Sequence, residues 1–370
     1  MTGLDGQRVY LDWNATAPLR PEARQAMLEA MDAVGNPSSV HAEGREAKKI
    51  VETARAQVAR LVGCEPSEVV FTSGATEAAG WLASVFGAYI ATPMEHDCIL
   101  QNAKEVDGWD ITQSGRSRLT AMDIDRFQIV AQASANGETG VLQDSDDLHE
   151  FQNEPQLRST VILRDAVQSI GKTAYFVDGE YALASAHKIG GPKGVGAVAM
   201  REPLETRALL KGGGQEQGRR AGTENVIGIA GFGAAAEAAQ RDLEDGVWDR
   251  VEKLRNILEE RLESAAPDLI IFGKEAPRLP NTSCFAVPGW KGETQVMQMD
   301  LAGFAISAGS ACSSGKVNKA SRVLLAMGFD EETASSAIRV SMGPTTTEAE
   351  VMAFADAWTE HYRRRKARAA

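Results

Sequence analysis

The chain of 370 residues carries 39 lysines and arginines against 51 aspartates and glutamates, a formal net charge of −12. That balance excludes a general nucleic-acid or anionic-membrane binder, so any anionic ligand must be held by a local arrangement of donors. With 43% hydrophobic and 24% charged residues the composition is that of a folded protein, and about 150 residues per domain gives a soft expectation of two to three domains, large enough to need no disulfide or metal staple.

In chain order, the first thirty residues contain no apolar core behind a basic start and do not read as a secretory signal. No later stretch approaches the roughly 20 apolar residues that span a bilayer. Between Glu46 and Leu61 the apolar positions Ala47, Ile50, Val51, Ala54, Val58 and Leu61 recur at steps of three and four, the stripe of an amphipathic helix. Glu68 to Phe71 is a short β-rich run, and SGATE opens the next helix. Residues 127–134 (FQIVAQAS), 159–166 (STVILRDA), 181–187 (YALASAH) and 194–200 (GVGAVAM) read as strands separated by polar or Gly-rich joins. The alternation predicts an α/β fold, a large domain whose mostly parallel sheet lies between helices.

After Thr223 the pattern changes to long helices, 228–243 and 247–265, and then to mixed short strands and helices. This predicts a smaller α+β domain. The boundary falls near Asp245, giving a large domain of residues 14–245 and a small one of residues 1–13 and 246–370. The last segment, 345–368, begins with threonines and glutamate and ends with Arg363, Arg364, Arg365, Lys366 and Arg368. A helix dipole favours that order, so a solvated helix end is expected there.

Several residues could carry chemistry. Ser73-Gly74-Ala75-Thr76 follows a strand and starts a helix, where free N–H groups and two hydroxyls can converge on a phosphate; a plain serine N-cap is the alternative. Lys188 ends an apolar strand before a Gly/Pro turn. It is either a surface lysine or, if desolvated, the free amine that a Schiff base requires, and Ser185 and His187 beside it add phosphate donors. Asp165 lies just beyond an apolar strand, where ligands of open α/β sheets bind. It is either a helix cap or a buried acid in need of a cation, and the pyridinium nitrogen of pyridoxal phosphate is such a cation. Gln168, three residues on, is placed to donate to that ring's phenolate.

The Gly-rich segment 212–225 (GGGQEQGRRAGTEN) fails the spacing of a dinucleotide fingerprint and suits close approach to a ligand or a neighbouring subunit. Four cysteines, without a CxxC pair, fit neither a zinc site nor a disulfide framework, and point to a reducing cytoplasm. Cys64, Cys98 and Cys284 read as core cysteines. Cys312 sits in SAGSACSSGK, a loop of small residues, and needs a cation or base to react at neutral pH.

YLDWNATAP, NPSSVHAEGR, SGATE, MEHDCIL, DAVQSIGK, ASAHKIGGPKGVG, GGGQEQGRRAGTEN, SAGSACSSG and SAIRVSMG occur in this order. Together they resemble the cysteine desulfurases of the class V aminotransferase family, from about Tyr10 to Gly343. The resemblance implies the pyridoxal-phosphate transferase fold of type I. Lys188 would hold pyridoxal 5'-phosphate as the internal aldimine and later move the substrate's Cα proton. Asp165 would pair with the ring nitrogen, Gln168 with the ring oxygen, and His96 would stack on the ring face. Ala75, Thr76, Ser185 and His187 would hold the phosphate, joined by Thr223 from the partner subunit of a homodimer. Asn136 and Arg339 would bind the substrate L-cysteine, Arg339 through its carboxylate. Cys312 would accept the sulfur as a persulfide and release alanine, handing sulfur to a protein acceptor such as an iron–sulfur scaffold.

The chain departs from the family pattern at Asn136-Gly137-Glu138, where two asparagines usually precede the glutamate, and Trp13 and Arg164 are less usual choices. The segment between SGATE and MEHDCIL is short enough to cost a strand or a helical turn. A selenocysteine lyase or other β-elimination enzyme on the same scaffold is the alternative reading. A degenerate member acting as a binding protein is another.

Overall fold

The computed structural model describes residues 3–4, 6–86, 89–104, 106, 108–120, 129–144, 148, 160–173, 179–201, 208, 210–309 and 320–369. Helix α1 (Pro21–Met31) opens on a proline, whose missing N–H is not needed in a first turn. Helix α2 (Ala42–Val62) is capped by the His41 ring, which accepts the Gly44 N–H, and stops at Gly63 in the left-handed conformation (φ 76°). It begins a turn earlier than the periodicity of residues 46–61 indicates, because the cap and not the apolar stripe sets its start.

Strand β1 (Val69–Thr72) leads into α3 (Ala75–Phe86), followed by β2 (Tyr89–Ala91). The short segment before MEHDCIL therefore still holds a helix and a strand. Strands β3 (Ile129–Ala133), β4 (Val161–Asp165), β5 (Tyr181–Ser185) and β6 (Gly196–Met200) complete a sheet with the order β1-β6-β5-β4-β3-β2. The pairs β2–β3, β3–β4 and β4–β5 are parallel, while β6 runs against both its neighbours. Strands β3 to β6 are shorter than their apolar runs, and the end of the run 181–187 passes into a single 3-10 turn, Ala186–Lys188, that lifts Lys188 out of the sheet.

Both faces of this sheet are covered, as a mostly parallel sheet requires. Along β5, Ala182 and Ala184 pack with Val51 and Val58 of α2 and with Phe232 of helix α4 (Val226–Glu244). The alternate residues Tyr181 and Leu183 pack with Trp81 and Leu82 of α3 on the other face. Gly196 is indispensable to this arrangement, since a Cβ there would come within 2.6 Å of the Gly74 Cα and push α3 off the sheet.

A second core forms around helix α5 (Val247–Ala265), which covers the span expected from its periodicity. Strands β7 (Ile270–Ile271), β8 (Thr282–Ala286), β9 (Ser307–Ala308) and β10 (Ala337–Ser341) form an antiparallel sheet in the order β7-β8-β10-β9. Trp248, Leu254 and Leu258 of α5, Phe285, Val340, and Phe354 and Trp358 of helix α6 (Glu348–Ala369) fill this core, joined by Val9 and Leu11. Helix α6 starts three residues later than its threonine run suggests, at Glu348. Its basic end stays solvent-facing, with Arg364 paired to Glu360 and Lys366 to Asp268 at 2.6 Å. No helix among the described residues is long and apolar enough to cross a membrane.

Trp358 is fully buried, stacks on Tyr362 with ring centroids 5.6 Å apart, and donates Nε1–H to Gln295 Oε1 at 2.9 Å. Trp358→Ala should therefore destabilise the protein by about 3–5 kcal/mol, read as a lowered urea midpoint.

Candidate active site

The carboxyl ends of β3, β4 and β5 open into a cavity of about 710 Å³, which Ala133, Asp165 and Ser185 line at the ends of their strands. Asp165 terminates β4 and is 8% exposed. Its Oδ1 accepts the Val167 N–H at 2.9 Å, so the residue both caps the following turn and faces the cavity. Burial pushes its carboxyl above the usual carboxylate range, opposed by that N–H and by the nearby His96 and Lys188. Among the described residues it has no ion-pair partner, and a buried acid in that state calls for a cation.

Beyond β5 the 3-10 turn sets His187 and Lys188 on the cavity wall. His187 Nδ1 lies 3.1 Å from Thr16 Oγ1. Burial together with Lys188 and Lys193 lowers its pKa to about 4, so the ring is neutral across the physiological range. Lys188 is not a free surface lysine. Its Nζ donates to the carbonyl oxygens of Asn14 at 2.6 Å and Ala15 at 3.0 Å.

The first turn of α3 faces the same cavity with Ala75 and Thr76. First-turn N–H groups have no intrahelical acceptor, so this end can hold an anion. His96 caps the short helix Asp97–Leu100, its Nδ1 accepting the Cys98 N–H at 3.1 Å. The neutral ring then carries its proton on Nε2. Gln168 also lines the cavity; its Nε2 donates to Asn14 O at 3.0 Å.

Arg339 of β10 reaches the cavity from the second sheet, 3% exposed. Its guanidinium donates to Gly137 O at 2.9 Å and to Asp12 Oδ1 at 2.8 Å, while Asp12 Oδ2 accepts from the Ser307 hydroxyl at 2.8 Å. Asn136 lies on the wall, but its amide shapes the backbone. Oδ1 accepts the Glu138 and Thr139 N–H groups, both at 2.9 Å, and Nδ2 donates to Met94 O at 3.2 Å. A Cβ at Gly137 would meet Gln168 at an ordinary 3.4 Å, so a side chain could start there in van der Waals contact with Gln168.

Thr223 is exposed and does not line this cavity. Cys312 lies outside the described residues; Gly309, three residues before it, is on the wall. Cys98 and Cys284 are buried and Cys64 half-buried, and burial raises all three thiols, Cys64 to about 12. Sequence reasoning missed Asp12 and Asn14, which organise Arg339, Gln168 and Lys188, and the buried carboxyls Glu95 and Glu138 of the wall. Asp12, Asn14 and Glu95 lie inside the motif strings and Glu138 in the departing Asn136-Gly137-Glu138, but their partners are remote in sequence.

The model of the class V aminotransferase family matches residues 9–354. The chain belongs to the class V aminotransferase family. A cysteine desulfurase from Cereibacter sphaeroides is 38% identical over 93% of this chain and 93% of its own. A solved NifS-like protein superposes on this class V chain with a TM-score of 0.86 at 32% identity, covering 96% of this chain and all of that one. A structure described as SspA in complex with cysteine gives a TM-score of 0.74 at 26% identity over 92% of this chain and 100% of its own. The fold is that of type I pyridoxal-phosphate enzymes, and the protein is a pyridoxal-phosphate enzyme.

The residues of this class V aminotransferase site fit that cofactor. An uncompensated buried carboxylate at Asp165 suits a pyridinium nitrogen, and the amine of Lys188 stands on the same wall. The start of α3 with Thr76, Ser185 and neutral His187 offers donors for a phosphate, and the carboxylate of that turn, Glu77, is held by Arg220 at 2.9 Å and by the Ser73 N–H at 2.9 Å.

Glu138 is buried with Oε1 left without a hydrogen bond, and burial raises its pKa to about 7. A carboxyl raised in the folded state binds its proton where the unfolded chain has lost it. Its cost to stability therefore grows from about pH 4.5 to pH 7 and then levels off, reaching roughly 3 kcal/mol at most. Glu138→Gln should gain stability relative to the parent between pH 5 and pH 8, as urea unfolding at the two pH values would report; an unchanged difference would mean that Glu138 titrates normally.

Proposed function

We propose that this protein is a cysteine desulfurase, converting L-cysteine to L-alanine and passing the sulfur to Cys312 as a persulfide. The observation that carries the reading is the meeting of Asp165, Lys188 and Arg339 in one cavity, with Gly309 of the segment leading to Cys312 on its wall. The bound cofactor supplies an electron sink that makes the substrate's Cα proton removable.

Each residue is assigned a task consistent with its place on the wall. Asp165 would keep the ring nitrogen protonated, Gln168 would donate to the ring oxygen, and His96 would cover the ring. Ala75, Thr76, Ser185 and His187 bind the phosphate. Arg339, oriented by Asp12 and the Gly137 carbonyl, grips the substrate carboxylate with its planar fork. Lys188 holds the cofactor and carries the Cα proton. Asn136 acts on the substrate through the wall it shapes. Cys312 follows Gly309 of the wall by three residues in the chain. As a thiolate it attacks the substrate sulfur; the S–C bond breaks, its electron pair stays on the carbon skeleton, and protonation yields alanine.

We further assign residues 14–245 to a large cofactor-binding domain and residues 1–13 and 246–370 to a small domain carrying the Cys312 loop. The break between α4, packed in the first core, and α5, packed in the second, supports this division. We assign the exposed Thr223 to the phosphate site of a second copy in a homodimer. A protein acceptor such as an iron–sulfur scaffold takes the sulfur in the cytoplasm.

Purified protein should be yellow, and L-cysteine with a reductant should give alanine and sulfide in equal amounts. Cys312→Ser should abolish both products; a variant that still released them would mark a simple lyase. Arg339→Lys, which loses the two-pronged grip, should raise KM for L-cysteine about 10- to 100-fold, whereas a KM equal to the parent's would place the substrate carboxylate elsewhere.

A further inference from the structure

Lys172 has no task in this reading, although it is 3% exposed. It follows Gly171, whose positive φ (70°) and close packing on Ala239 of α4 turn the chain back toward the site. The Nζ atom donates to Asn14 Oδ1 at 3.2 Å and Gln168 Oε1 at 3.1 Å, and it makes no ion pair among the described residues. The charged groups facing it are Lys188 and Arg339, and burial with those two cations holds its ammonium well below the ordinary lysine range. A lysine is expensive to bury in such surroundings.

The two amides it touches have no rotational choice. Asn14 Nδ2 donates to Gly137 O at 3.3 Å and Thr282 Oγ1 at 2.9 Å, and Gln168 Nε2 donates to Asn14 O. Carbonyl oxygens only accept, so Asn14 Oδ1 and Gln168 Oε1 must both point to the place where Nζ stands. Asn14 O in turn accepts from Lys188 Nζ. Without Nζ, the half-buried Gln168 Oε1 would lose its donor and Asn14 Oδ1 would keep only Asn281 Nδ2 at 3.0 Å, and Gln168 would relieve this by turning its –NH₂ away.

We propose that Lys172 is a positioning residue that locks the Gln168 amide with its –NH₂ toward the ring oxygen of pyridoxal phosphate. The inference rests on the cofactor occupying this cavity. Lys172 touches neither substrate nor cofactor in this account and acts through Gln168.

The test uses the holoenzyme and the pH titration of its visible absorbance band, together with the dissociation constant for pyridoxal phosphate. Lys172→Met keeps the length and removes the donor. Its band should titrate about one pH unit higher, because a ring oxygen that has lost a donor holds its proton more tightly, and the cofactor should bind about tenfold more weakly. Gln168→Met should give the same shift, and the double variant should add nothing to it. Lys172→Gln, which restores a shorter donor, should recover part of the shift, and carries the comparison if Lys172→Met fails to fold. A Lys172→Met band within about 0.2 units of the parent with unchanged cofactor affinity, or additive shifts in the double variant, would overturn the lock. A parent protein that takes up no pyridoxal phosphate would overturn the cofactor reading along with it.

Discussion

The hydrogen bonds of Asn14 hold the centre of the site together, and the placements of Gln168, Lys172 and Lys188 lean on them. Its N–H reaches Ser341 Oγ on β10 at 3.0 Å, its side-chain Nδ2 reaches Thr282 of β8 and the Gly137 carbonyl, and its Oδ1 accepts from Asn281 at 3.0 Å and from Lys172. Its own carbonyl receives Lys188 and Gln168. One residue near the start of the chain thus ties the second sheet to the end of the first. A buried polar network of this kind is rigid only while every member is satisfied.

The charge of the molecule and the charge of its site have opposite sense. A chain with net charge −12 places Lys188, Lys193 and Arg339 on the wall of one cavity, with the positive end of α3 beside them. The acids nearby are kept from cancelling this field. Burial pushes Glu95 to about 8 and Glu138 to about 7, so at neutral pH Glu95 is mainly protonated and Glu138 partly so, while Asp12 is committed to Arg339 and Ser307. An anionic cofactor and an amino-acid carboxylate are the ligands such a field selects.

Much of this was legible in the residues themselves. The stripe in α2, the span of α5 and the apolar runs of β3 to β6 followed from periodicity, because side-chain spacing along one segment is a local property. The reversal of β6 was not legible, since an apolar run looks the same in either direction. The motif strings marked Lys188, Asp165, Gln168, His96 and Arg339 as candidates, and these share one cavity. The importance of Asp12 and Asn14 escaped notice because their partners lie up to 327 residues away. Asn136, read as a substrate contact, has its amide engaged in the turn it sits in.

The sequence alone determined the α/β class, the helices, the family and the chemical groups available at the site, because propensity, periodicity and short motifs are encoded among neighbours in the chain. Only the tertiary structure decided that Lys188 ends against the Asn14 carbonyl, that Asp165 is buried without an ion-pair partner among the described residues and that Lys172 stands between two amide oxygens. Those facts depend on distances and desolvation across segments far apart in sequence, and no local pattern carries them.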